Sequence, residues 1–123
     1  MKNDRSLLSN FFNGFRFALA GLRSAFLSEL NIKFHFAAAI VVIVAGIYFN
    51  VTSVDWLLIV GAIGFVLTAE YLNTAIEQLT DLASPQFSEK AGRVKDIAAS
   101  AVLIASITAA TIGMIIFYPY LIK

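Results

Sequence analysis

From Ile97 to Ile122 the chain runs 26 residues without a charged side chain, and from Phe36 to Val54 it runs another 19. A helix needs about 20 apolar residues to cross a hydrocarbon core, so each run is long enough to span one. A third charge-free stretch, Trp56 to Ala69, has 14 residues before Glu70. Its helix must therefore continue into the polar segment EYLNTAIEQLTD, Glu70 to Asp81. Three spanning helices are expected, over about 36–54, 56–80 and 90–121, in an all-α integral membrane protein. Composition agrees: 59% of the 123 residues are apolar and 14% charged, against about 45–50% and 25% in soluble domains. So short a chain has too little interior to hide that apolar excess. The absence of cysteine excludes disulfides and thiolate metal sites, and a single histidine argues against a zinc site. A net charge of +1 argues against nucleic acid as a partner.

The first 35 residues have a different pattern. Leu8, Phe11, Phe12, Phe15, Leu19, Leu22, Phe26 and Leu30 recur at spacings of one, three or four and line one face of a helix that also carries Arg16 and Arg23. This predicts an amphipathic helix over about 6–33 that lies on the membrane surface, with no cleavable signal. Five basic residues precede the first span (Lys2, Arg5, Arg16, Arg23, Lys33) and none occurs from Asn50 to Asp55. Three lie between the second and third spans (Lys90, Arg93, Lys95), and Lys123 stands alone at the end. The positive-inside rule puts the N-terminus in the cytoplasm and the C-terminus outside. Asp55 and Trp56 mark the outer turnaround, and Tyr48, Trp56, Tyr118 and Tyr120 fit an aromatic belt. With no internal repeat or linker, residues 1–123 read as one domain.

Glu70, Asn73, Glu77 and Asp81 are spaced by three, four and four residues, which confines them to an arc of about 80° on the second spanning helix. Carboxylates aligned on an apolar rod repel one another and resist burial, so cations or protons should neutralise them. Hard divalent metals such as Mg²⁺ suit one or two carboxylates plus substrate phosphates. The plainer reading leaves Glu77 and Asp81 solvated and Glu70 reaching for the interface. Glu29, taken alone, reads as the i, i+4 partner of Lys33 ahead of a metal ligand. Ser84-Pro85 should end the second spanning helix and Ser88 should cap the next. Glu89–Arg93 and Arg93–Asp96 have ion-pair spacing, whereas Lys95 has no such partner and is free to reach the carboxylate stripe or an anion. His35 reads as an interfacial polar residue.

No phosphate-binding glycine loop, dinucleotide fingerprint, protein-kinase signature or nucleophile elbow is present. However, EYLNTAIEQLTD, the following Ser84-Pro85, GRVKDIAASAVL (Gly92 to Leu103) and the upstream GLRSAFLSELNIKFH (Gly21 to His35) closely resemble the small bacterial lipid kinases of the prokaryotic diacylglycerol kinase and undecaprenol kinase family. The resemblance covers nearly the whole chain after about residue 12. It implies a homotrimer of three-span subunits with an N-terminal surface helix and active sites shared between neighbours. These would sit on the cytoplasmic side of the bacterial inner membrane and use ATP with Mg²⁺. Carried over by position, Glu29 and Glu77 resemble metal ligands and Glu70 the general base toward the lipid hydroxyl. Lys95 resembles a phosphate contact, and Asn73, Asp81 and Asp96 residues that orient ligands or nucleotide. Phe87-Ser88 departs from the family's common aromatic-His pair, as do Phe17, Leu19 and Ala20 from residues of the Gram-negative diacylglycerol kinases. ELNIKFH and the ending IGMIIFYP are more similar to the undecaprenol kinases, which points to undecaprenol as substrate and diacylglycerol as the alternative. A proton-coupled transporter using Glu70, or an inactive membrane scaffold, would be readings of another class.

Overall fold

A computed structural model describes residues 4–123 and folds them into four helices: α1 (Asp4–Ser28), α2 (Leu30–Tyr48), α3 (Ser53–Ala83) and α4 (Glu89–Leu121). Lys2, one of the basic residues counted above, lies outside the described residues. α2, α3 and α4 are each long and apolar enough to cross a membrane, as the charge-free runs require.

The first boundary differs from the sequence expectation. The helix expected over 6–33 stops at Ser28, and Glu29 turns into an extended conformation (φ −107°, ψ 118°) that starts α2. The span begins at Leu30 rather than Phe36 and takes Asn31, Lys33 and His35 into its first turns. Lys33 does not pair with Glu29, because Glu29 has left the helix on which an i, i+4 pair depends. Its Nζ instead donates to the Leu27 carbonyl (3.1 Å), one of the acceptors that the end of α1 leaves without a helical partner.

The other boundaries follow from local chemistry. α2 ends in a Schellman motif: Asn50 adopts a left-handed conformation (φ 50°), the Val51 N–H donates to the Gly46 carbonyl (3.2 Å) and the Asn50 N–H to that of Ile47 (3.1 Å). Thr52 then caps α3 through a reciprocal box with Asp55, whose side chain accepts from the Thr52 N–H (3.1 Å). This is the turnaround expected at Asp55. At the opposite end α3 closes at Ala83 with Ser84 as its C-cap. The Ser88 Oγ accepts from the Ala91 N–H (3.4 Å) to start α4.

α3 and α4 form a long antiparallel hairpin, with α2 packed beside α3. The core gathers at the α2–α3 turn, where Val51, Ile59 and Ile116 are buried beneath Phe49, Trp56, Phe117 and Tyr120. Tyr120 also donates through its hydroxyl to Asp55 (3.2 Å), fastening the end of α4 to the start of α3. Among the described residues α1 is joined near its C-terminal end by an edge contact between Phe26 and Phe36 and by the Tyr71 hydroxyl donating to the Leu22 carbonyl (2.9 Å). Every side chain from Ser6 to Ser24 is exposed.

The chain exposes 9526 Å², roughly half again the area of about 6,500 Å² expected for a soluble monomer of its mass. Such a surface belongs to a protein surrounded by lipid or by further copies of itself.

One close approach fixes the α2–α3 crossing. Gly46 is buried against the Trp56 indole, and a Cβ there would lie 2.8 Å from the nearest ring carbon. Alanine favours a helix over glycine by up to about 1 kcal/mol, but overpacking costs about 1–3 kcal/mol. Gly46→Ala should therefore lower the melting temperature in detergent, whereas a rise would show that the indole can move away freely.

Candidate functional site

The carboxylate stripe of α3 runs from the interior outward. Glu70 is 3% exposed and Asn73 7%, Glu77 is half-buried, and Asp81 is exposed. The gradient arises because α3 outlasts its own apolar stretch: Glu70 is still flanked by α2, whereas Asp81 is in the last turn before the α3–α4 loop. Thr80, on the same face, satisfies itself by donating to the Ile76 carbonyl (2.7 Å).

α2 brings the partners of Glu70. The His35 Nε2 lies 3.6 Å from the Glu70 Oε2, with both side chains withdrawn from solvent, and the Asn31 side chain also reaches the carboxylate. Glu29 and Glu77 both lie near enough to act on Glu70 electrostatically. Glu29, half-buried at the break between α1 and α2, accepts a hydrogen bond from the Ser28 hydroxyl (3.2 Å). One end of the bundle thus collects three carboxylates from two neighbouring elements.

α4 supplies the cation. Lys95 reaches across the hairpin to the Asp81 Oδ1 at 2.5 Å, so it is drawn to the carboxylate stripe as its lack of a local partner suggests. Asp96, the next residue, stays exposed and makes no ion pair among the described residues. Nor do the Glu89–Arg93 and Arg93–Asp96 pairs form among them.

The structure therefore gathers Glu29, Glu70 and Glu77 around one region, sets Asn73 on the same helix face, and joins Asp81 to Lys95 nearby. The proximity of His35 and Asn31 to Glu70 is not legible in the sequence, because it links positions 35 or more residues apart and leaves no trace in local spacing. Among the described residues no three acidic or histidine side chains converge tightly enough to enclose a metal by themselves. Carboxylate oxygens are the donors that Mg²⁺ accepts, commonly one or two of them completed by waters and substrate phosphates. Glu29 and Glu77, both half-buried, are suitable donors.

Asn73 stands out among the buried groups, because its Oδ1 has no hydrogen-bond partner. An unmatched buried acceptor costs about 1–3 kcal/mol, a cost the fold need not carry unless the atom serves a ligand. Asn73→Leu should accordingly leave thermal stability unchanged or raised. A drop of several degrees would show that the amide is needed for folding.

Comparison with known proteins sets this geometry in a lineage. The profile of the prokaryotic diacylglycerol kinase family matches residues 16–117. The chain is 36% identical to an undecaprenol kinase of Bacillus subtilis over 120 residues, covering 98% of each chain. It is 33% identical to a diacylglycerol kinase of a Synechocystis species over 123 residues, covering 99% of this chain and 70% of that one. It is also 27% identical to the diacylglycerol kinase of Escherichia coli over 120 residues, covering 98% of each.

Proposed function

The chain belongs to the prokaryotic diacylglycerol kinase family, and from that membership we propose that it is a single-domain, ATP-dependent kinase that phosphorylates undecaprenol in the bacterial inner membrane. The higher identity to the Bacillus undecaprenol kinase than to the diacylglycerol kinases above supports that substrate, and diacylglycerol is the alternative. Within the site, the observation that carries the reading is Glu70: a carboxylate buried among apolar helices, beside an amide oxygen with no partner.

Phosphoryl transfer asks little covalent chemistry of a protein and depends on position and charge. Glu70 takes the proton from the lipid hydroxyl as that oxygen attacks the γ-phosphorus and the bond to ADP breaks. Lys95 neutralises phosphate oxygens. In the free chain it rests on Asp81, an exposed pair worth at most about 1 kcal/mol, so an incoming polyphosphate takes the ammonium over at little cost. Asn73, Asp81 and Asp96 orient the nucleotide and hydroxyl. Glu29 and Glu77 would hold Mg²⁺, which when bound would offset the negative charge of the phosphates.

The distribution of basic residues supports a cytoplasmic location for this end of the bundle and for the N-terminus. α1, exposed around its length and apolar on one face, suits a helix lying at the membrane surface. Family membership supports a homotrimer in which neighbouring subunits complete each site, and the exposed apolar area leaves surface for such contacts.

Purified protein supplied with ATP, Mg²⁺ and each alcohol in mixed micelles should phosphorylate undecaprenol faster than diacylglycerol. A preference for diacylglycerol would exchange the two substrates, and phosphorylation of neither would overturn the assignment. Lys95→Ala should raise the KM for ATP roughly tenfold or more, a loss of about 1.4 kcal/mol of binding, without a comparable loss of stability. An unchanged KM would remove Lys95 from the phosphate site.

A further inference from the structure

His35 is the only histidine in the chain, and its place is unusual for an interfacial residue. It lies between two environments. On one side is a half-open apolar pocket of about 360 Å³ between α2, α3 and α4, in which His35 and Ser106 are the polar lining residues. On the other side, 3.6 Å away, is the Glu70 carboxylate.

We infer that His35 is a positioning residue for Glu70: its imidazole, with the Nε2 3.6 Å from the Oε2, confines the carboxylate on one side and so limits how it can turn toward the lipid hydroxyl. The inference rests on the reading of Glu70 as the base. The lysines of the site cannot take this part, because Lys33 is engaged with the Leu27 carbonyl and Lys95 with Asp81. The groups that face Glu70 are otherwise acidic or neutral. Glu29 comes from the α1–α2 break, Glu77 from α3 itself and Asn31 from α2, while α4 offers this region the Ser106 hydroxyl and no charge.

The His35 side chain is itself only 16% exposed, on a helix whose nearby Ile32 is fully buried. A side chain packed in this way can fix the carboxylate more narrowly than water could. An error of about 1 Å in the placement of a reacting group can cost on the order of 100-fold in rate.

Two measurements test this. With the imidazole nitrogens ¹⁵N-labelled and the protein in lipid nanodiscs, the lone histidine gives an unambiguous pair of resonances. These should shift in Glu70→Gln and stay in place in Lys95→Ala, which alters the same end of the bundle without touching the pair. In kinetics, His35→Leu should lower kcat on the order of 100-fold with the KM for ATP unchanged, and His35→Gln, which keeps an N–H near the carboxylate, should recover most of that loss. A purely structural imidazole would instead give equal losses for Leu and Gln, following their melting temperatures. Imidazole resonances indifferent to Glu70→Gln, or a wild-type kcat in His35→Leu, would overturn the inference while leaving the kinase reading intact. If His35→Leu does not fold, the resonances alone decide. The kinase reading fails separately, if the wild-type protein phosphorylates neither alcohol.

Discussion

A carboxylate with 3% of its surface exposed, inside a bundle of apolar helices, is the most demanding group in the molecule, and the surrounding architecture answers to it. An ionised side chain withdrawn from water is costly unless other polar groups surround it. α3 carries Glu70 beyond its own apolar stretch. The break at Glu29 lets α2 begin early enough to bring Asn31 and His35 alongside. α4 returns antiparallel, so that Lys95 meets the outer end of the same stripe.

Stability and chemistry occupy opposite ends of the bundle. At the α2–α3 turn a Schellman motif, a capping box and a cluster of aromatic residues close off nearly every backbone and side-chain demand. At the other end one buried acceptor has no partner and the principal ion pair is exposed. This division is the expected one when function requires groups that a stable fold would otherwise pair or remove. The lengths between are smooth apolar helices whose side chains mostly face outward, as suits a lipid environment.

Much of this was legible in the sequence because its signals are local. Charge-free runs located α2, α3 and α4, a three-four-four spacing placed Glu70, Asn73, Glu77 and Asp81 on one face, Ser88 announced the start of α4, and Asp55 marked the turnaround before α3. The motif between Glu70 and Asp96 pointed to the kinase family without help from geometry. The break after Ser28 was not legible, since no glycine or proline marks it and the apolar periodicity runs straight through to Leu30. Lys33 shows the consequence: its spacing from Glu29 suggested an ion pair, while the broken helix sends it to a backbone carbonyl. His35 was misread for a different reason. Its partner lies on another helix, and only the packing of α2 against α3 brings the two together.

The central claim is that the buried Glu70 carboxylate removes the proton of the lipid hydroxyl. Its most direct test is kcat for lipid phosphorylation by Glu70→Gln, which keeps the size and hydrogen-bonding shape of the side chain and removes only its basicity. The account predicts a fall of about 10²–10⁴-fold in a protein that remains folded. A kcat within a few-fold of the wild type would contradict it.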